Sequence, residues 1–502
     1  MSAHTSKDFV KARAAIPSLF YFILLFIFPF CSLGQKVNPI VQAAYNDVLN
    51  LDFDAARDKL KFLHSNPENN PYSIYVANLA DVLQAYTSGS EELFNELKNA
   101  ESFRLNQINR LPSDKPERYF LEAEIKIQWA FAKFRYGHYL KSFWGFKQAY
   151  SVAEKGHELF PEYVPLNKSL GVIHTVLGSF PENYHWLLSM LNSSGDIELG
   201  MSELQKLTRS NSIFYEESVA YQSLFQTYLL NEKKQALVKM DELLQSSAPK
   251  DVVKAVASLV YFKSSQSQKA EAILLDLEEK GVLNTIPFLK YLMGEINLQK
   301  GNYLTAIQFY HNFIHNNKGV NYTKDAYLKI ALCHWLNNDR HYKLYMEKAL
   351  AEGNADIDAD KNAEYMATQE QLPNKHLLKI RYATDGGYFE IVEKVLAEIN
   401  VKNFNNDELL EYHYRLARYY HLTNNLSNAL KEYDWVIQKQ GDQNFYFAPN
   451  ACLQSAYIYL ELGQKAKAKN LLEKALTYQG HPYESSIDKK AEIELEKLSE
   501  SN

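Results

Sequence analysis

The window SFPENYHWLLSMLNSSGDIELGMSEL, residues 179–204, holds the residue types of an active site. Glu182, His185 and Asp196, with His174 just upstream, could polarise a water or hold a metal ion, because imidazoles and carboxylates are the common general bases and ligands. HELFP at 157–161 opens like a metalloprotease helix. It lacks the second His, and Pro161 ends the helix that would carry it. His311 and His315 stand four apart on one helical face, with no Glu or third ligand beside them. The 14 His show no pair at metal-ligand spacing that also has Cys or carboxylate company, and no GxxxxGK[ST], GxGxxG or GxSxG occurs. The expectation is no catalytic residue, no metal and no cofactor: the chain is not an enzyme.

The elements that must carry these residues explain the window better than chemistry does. VPLNKSLGVIHTVLGSF, 164–180, reads as a helix with Gly171 at a close-contact position and Gly178 at its end. PENYHWLLSML then reads as an inserted short helix. Pro181 suits its first turn, and Trp186, Leu187, Met190 and Leu191 form its apolar stripe. Gly195 ends it, Asp196 caps the next helix, and Gly200 permits close helix contact. On this reading His174, Glu182, His185 and Asp196 are structural.

The totals agree with a large helical fold. Of 502 residues 46% are hydrophobic, while Gly (19) and Pro (15) are scarce, which favours long uninterrupted helices. A net charge of −6 lacks the basic balance that displaces counterions from nucleic acid. Of the three Cys, Cys333 and Cys452 lie far apart and outside any CxxC, so both are expected as buried, unpaired thiols.

Residues 1–34 read as a signal peptide. Lys7, Lys11 and Arg13 precede the apolar SLFYFILLFIFPF, and Ser32-Leu33-Gly34 offers small residues for cleavage before Gln35. The apolar run is short of the ~20 residues that span a bilayer. This leader resembles those of Gram-negative exported proteins whose mature chain starts with Gln. An uncleaved anchor and a lipidated Cys31 stand as alternatives, the second opposed by the bulky Phe30.

From about residue 37 the chain repeats. NACLQSAYIYLELGQKAKAKNLLEKALTYQGHP places Ala456, Tyr459, Gly463, Ala468, Leu472 and Ala475 at spacings that suit two antiparallel helices around a Gly turn. The phasing recurs as Leu416, Ala417, Tyr420, Ala429, Tyr433 and Val436; as Met293, Gly294, Gly301, Ala306, Tyr310 and Phe313; as Tyr261, Ala270 and Leu274; as Leu224, Ala236 and Met240; and as Ala44, Ala56 and Leu60. Ala236, Ala270 and Ala306 are 34 and 36 positions apart. These residues resemble the tetratricopeptide repeat, a helical hairpin of about 34 residues. Residues 331–350 and 379–399 keep a hairpin but lose the small residue, and 351–374 read as a longer connection or one irregular helix. The leucine-rich insert followed by GDIELG is also similar to a motif in the long, degenerate tetratricopeptide family that includes eukaryotic inclusion-body-clearance proteins. That resemblance implies the same all-helical fold.

The expected architecture is all-α: a right-handed superhelix of antiparallel hairpins, an α-solenoid. The expected segments are 1–34 (leader), 35–210 (N-terminal lobe with the inserted helix), 211–480 (repeats) and 481–502 (C-terminal helix and tail). Stacked hairpins leave a concave surface lined by the first helix of each pair. Near the C-terminus Tyr414, Arg418 and His421 from one unit, and Leu453 and Tyr457 from the next, share that face as exposed protein-binding anchors. Packing between repeats is the competing role for the tyrosines. The function expected is non-catalytic binding of a protein or peptide, as a scaffold of the cell envelope, periplasmic or at the outer membrane, without nucleic acid. Membrane association would come only through an uncleaved leader or a partner. The alternative is an outer-membrane accessory protein for carbohydrate uptake, against which stand only five Trp and short loops.

Overall fold

The computed structural model describes residues 38–61, 63, 70–179, 195–209, 215–245, 249–319 and 321–500. The leader with Cys31, and the inserted helix with Glu182, His185 and Trp186, lie outside the described residues. The N-terminal third runs through α1 (Pro39–Leu49), α2 (Phe53–Lys61), α3 (Pro71–Ser88), α4 (Glu91–Leu97), α5 (Ala100–Ile108), α6 (Pro116–Arg135), α7 (Tyr139–Leu159), α8 (Leu166–Gly178) and α9 (Ile197–Thr208). The middle holds α10 (Tyr215–Tyr228), α11 (Lys233–Gln245), α12 (Asp251–Lys263), α13 (Ser267–Glu279), α14 (Val282–Thr285), α15 (Phe288–Gln299), α16 (Tyr303–Asn316), α17 (Thr323–Leu336) and α18 (Tyr342–Ala351). The last part holds α19 (Asp358–Ala367), α20 (Lys375–Gly386), α21 (Phe389–Glu398), α22 (Asn406–Leu422), α23 (Leu426–Lys439), α24 (Phe447–Glu461), α25 (Lys465–Ala475) and α26 (Glu484–Glu500). No strand occurs among the described residues, and none of their helices is long and apolar enough to cross a membrane.

One turn geometry recurs between paired helices of the described residues. The turn residue is left-handed: Leu51, Gly137, Asn231, Ser265, Gly301, Asn338, Gly387, Asn424 or Gly463. In eight of these turns the next N–H bonds back five residues, as Asp52 does to the carbonyl of Asp47 at 2.8 Å and Gln464 to that of Tyr459 at 2.8 Å. This Schellman closure satisfies a carbonyl that the helix end leaves orphaned. The helix starts are fixed by capping. Asp196 Oδ1 accepts from Leu199 N at 2.8 Å, as expected from the sequence, and Asn405 and Glu408 form a reciprocal capping box on α22.

The two helices of a pair are buried differently. The first helix is enclosed by its own partner and by neighbouring units, so α12 buries nearly every residue from Asp251 to Tyr261. The second buries one stripe, such as Ala270, Leu274 and Leu277 on α13 or Ala429, Tyr433 and Val436 on α23. Small residues set the approach within a pair. A Cβ on Gly294 would fall 2.7 Å from the ring of Tyr310, so the glycine lets that ring lie on the backbone of α15. Each Leu, Phe or Tyr sealed in this way contributes on the order of 1.5–3 kcal/mol. The hydrophobic core runs from Val41 past residue 210 to Ala363 and Tyr382, and it includes Ile493 on the last helix. Residues 331–350 and 379–399 form the hairpins α17–α18 and α20–α21, and the polar 351–374 stretch contains the helix α19. Cys333 and Cys452 are buried free thiols, and burial pushes the Cys452 thiol up to about 12.

Candidate functional site: a cationic cavity on the inner face

The inner helices α20, α22 and α24 form one wall of a cavity of about 890 Å³. The opposite wall comes from the α10–α11 turn, the end of α12 and the last helix, α26. Tyr414, Arg418, His421, Leu453 and Tyr457 all line this space. Their exposure departs from expectation. Tyr414 is 2% exposed and Leu453 1%, because both belong to the seam between the α22–α23 and α24–α25 hairpins. Tyr414 Oη accepts from Asn450 Nδ2 at 2.6 Å and stays locked in that seam. Tyr457 is 8% exposed, and its buried hydroxyl has no hydrogen-bond partner. Only Arg418 and His421 of the five present substantial surface. Arg418 Nη1 donates to Gln454 Oε1 at 2.5 Å, tying the two inner helices together.

Most of the cavity's charge comes from residues that the sequence reading passed over. Lys233, Lys263, Arg381, Arg415 and Lys490 join Arg418 around the cavity, with Asp385, Glu232 and Glu461. Arg415 is paired with Glu411 at 2.7 Å, Glu461 with Lys234 at 3.1 Å, and Glu232 with Lys497 at 3.8 Å. Among the described residues, Lys233, Lys263, Arg381, Arg418 and Lys490 make no ion pair, nor does Asp385. Five cationic side chains against one carboxylate give a formal excess of four positive charges, in a chain whose formal net charge is −6.

The charges strain one another. Burial in the concavity, then Arg418, Lys263 and Lys490, lower Lys233 to about 7. Burial, then Lys263 and Arg418, lower Lys490 to about 8. His421 is pushed down to about 3 by burial, then by Arg418, Lys233 and Lys234, so its ring is neutral. Like charges held together out of bulk water disfavour their own charged forms. Such an arrangement costs folding stability and is common where an opposite charge is to be received.

The hairpin that closes one side of this wall, α24–α25, carries the expected small and large residues in contact. Ala456, Ala468, Leu472 and Ala475 are fully buried, and Gly463 turns the chain at φ +71°. Residues 449–481 match the sequence model of the tetratricopeptide repeat. That one hairpin is similar to a tetratricopeptide repeat. The remaining hairpins of the chain continue that helical stacking as a tetratricopeptide-like α-solenoid. No curated protein matches the sequence. Among solved structures, the array is similar to the Cut9–Hcn1 hetero-tetramer of the APC/C (11% identity, 91% of this chain and 95% of that one, TM-score 0.27). It is also similar to an IFIT1 monomeric mutant with Gppp-AAAA (13%, 86% and 94%, 0.32) and to the apo quorum sensor NprR of B. thuringiensis (12%, 88% and 97%, 0.27).

The other sequence-picked groups settle elsewhere in the tetratricopeptide-like array. His174 is buried, with Nδ1 2.7 Å from Glu203 and its ring edge-on to Tyr150. Asp196 is a helix cap. His157 ends α7, which stops at Leu159 ahead of Pro161. His311 Nε2 lies 3.1 Å from the Tyr345 hydroxyl, and His315 sits in the last turn of α16. One expectation is overturned. His334, Asp339 and His341 do bring two imidazoles and a carboxylate together, with ligand atoms within 4.8 Å of one another. The signal was legible as His-x4-Asp-x-His. Asp339 takes the Nδ1 of both rings, at 2.8 and 2.6 Å, and the backbone N–H of His341. It thereby staples the α17–α18 turn, and those bonds hold its carboxyl down at about 2.

Proposed function

We propose that this protein is a non-catalytic binding scaffold that docks a protein or peptide segment in the cavity between α10–α12, α20–α24 and α26. The observation that carries the reading is the cavity itself. It is about 890 Å³ and walled by inner helices of successive hairpins. The polar side chains that converge there satisfy one another or lie unpaired. They do not form a nucleophile, base and orienting group in series. The leader at 1–34 supports export and action in the cell envelope.

A photo-crosslinking amino acid at Gln454, on the cavity wall, is the direct test, with the same probe at Lys469 on the outer helix α25 as control. A discrete protein adduct from position 454 alone is expected. Equal labelling from both positions, or none from 454, overturns docking at this site. Fractionation of cells with an antibody to the C-terminal helix tests export. Recovery in the cytoplasm with residues 1–34 still attached overturns the envelope assignment.

A further inference from the structure

The cavity's charge points to the chemistry of its occupant. We propose that it selects an acidic peptide segment, whose carboxylates meet Lys233, Arg418 and Lys490 while its backbone runs along α22 and α24. This rests on the reading of the cavity as a docking site and adds the class of ligand.

Three observations carry it. First, the excess of positive charge is local: the chain is acidic overall, yet these cations line the two facing walls of one cavity, where Asp385 is a carboxylate without an ion pair among the described residues. Unpaired like charges in a concavity are costly unless an opposite charge arrives, and a concave wall focuses their field on the lumen. Second, the five cations come from five separate elements. Lys233 opens α11, Lys263 ends α12, Arg381 lies on α20, Arg418 on α22 and Lys490 on α26. Several carboxylates spaced along a chain can meet cations on separate elements at once. Third, the wall between them is amide-lined. Asn450 and Gln454 stand in line with Arg418 on the inner helices, joined to it through Gln454 Oε1 and to each other through Gln454 Nε2, and so form a polar strip along which a peptide backbone can lie. Tyr457 adds a buried hydroxyl with no partner. Lengthy nucleic acid is disfavoured because the acidic exterior repels the strand wherever it leaves the cavity.

The depressed lysines supply an independent signature. An anion beside Lys233 and Lys490 favours their charged forms, so binding near neutral pH takes up protons. The groups facing Lys233 are Arg418, Lys263, Lys490 and Asp385; those facing Lys490 are Lys263 and Arg418.

The test is fluorescence polarisation of the full mature chain with fluorescein-labelled hexaglutamate, hexaglutamine and hexalysine. Hexaglutamate is expected to bind at least tenfold more tightly than hexaglutamine, with affinity falling as salt rises. Lys233→Gln and Lys490→Gln, on different elements, are each expected to weaken hexaglutamate at least tenfold, and Lys469→Gln on the outer face to leave it unchanged. Circular dichroism reports whether each variant folds, and the salt titration on wild type stands if one does not. Equal binding of hexaglutamine overturns selection for acid while leaving docking intact. No binding of any of the three peptides, together with no crosslink at position 454, overturns both. Displacement of hexaglutamate by inorganic tripolyphosphate at lower concentration than by unlabelled hexaglutamate reassigns the cavity to small anions and overturns the peptide.

Discussion

Lys234 and Glu461 meet at 3.1 Å across 227 positions of sequence. Lys497 and Glu232 form a second pair at the same junction, 3.8 Å apart. The α10–α11 turn thus touches the last inner helix and α26, and the cavity lies in the ring this contact closes. Side chains of Lys234 and Glu461 are 86% and 49% exposed, and such pairs contribute about 0–1 kcal/mol. Lys234→Ala is therefore expected to lower stability to urea by less than about 1 kcal/mol. Closure then rests on the curvature of the stacked hairpins. A markedly larger loss, or an increase in radius of gyration by X-ray scattering, would show that the charge pair itself holds the ring.

The clustered lysines give the protein a pH dependence of definite sign. Lys233 titrates at about 7 and Lys490 at about 8 in the folded chain, against ~10.4 for an unperturbed lysine. Between those values the unfolded chain binds more protons, so these groups make the folded state more stable as pH rises from 6 towards 9. Lys233→Met and Lys490→Met are each expected to raise the Tm at pH 6 and to flatten the rise seen in wild type. The comparison is between the variant and wild-type curves, since other groups titrate over the same range. Parallel curves would mean that the lumen is solvated well enough to leave the lysines near their ordinary values.

A second charge cluster, deep in the N-terminal part, makes the opposite kind of claim. Lys168 Nζ lies 2.6 Å from Glu124 and 2.5 Å from Glu217, and the three side chains are at most 2% exposed. Burial drives the Glu217 carboxyl well above its usual range, countered by Lys168. Removing the cation leaves two buried carboxyls without it. Lys168→Met is expected to cost about 3–5 kcal/mol. Combining it with Glu124→Gln and Glu217→Gln should restore most of that loss, as read by denaturant midpoints. A triple variant no more stable than Lys168→Met would show that the loss is packing rather than charge.

The sequence displayed the hairpins where their geometry needs a particular residue. Gly294 under Tyr310 and Gly200 against Gly171 had to be small, so their spacing announced the stack. The turns were only partly legible. Gly301, Gly387 and Gly463 stand out, but Leu51, Asn231, Ser265, Asn338 and Asn424 take the same left-handed conformation and carry no distinctive mark. Arg418 and His421 were visible as one face of one helix. Lys233, Lys263, Arg381 and Lys490 were not, because they meet only through the accumulated curvature of the array, which no local spacing encodes. Tyr414 and Leu453 were placed on the right helices, but the sequence left open whether Tyr414 faces solvent or packs between repeats, since periodicity gives a face without telling whether a neighbouring repeat covers it.

The contact between α8 and α9 offers the sharpest steric test. A Cβ on Gly200 would lie 2.3 Å from Thr175 Oγ1 and 2.6 Å from the carbonyl oxygen of Gly171. Neither neighbour can yield easily. The Thr175 hydroxyl donates to that same carbonyl at 2.8 Å, and the carbonyl belongs to helical backbone. Helix propensity alone favours Ala over Gly by about 1 kcal/mol. Overpacking of a well-filled contact costs about 1–3 kcal/mol, toward the upper end where backbone must move. Gly200→Ala is therefore expected to lower the thermal midpoint, and Gly171→Ala likewise, since its Cβ would fall 2.8 Å from the Gly200 carbonyl. The double variant should be less destabilised than the sum of the singles, because separating the helices once relieves both clashes. If Gly200→Ala raised the midpoint, as propensity alone requires, α8 and α9 would not be in backbone contact, and Gly200 would be an ordinary helical glycine.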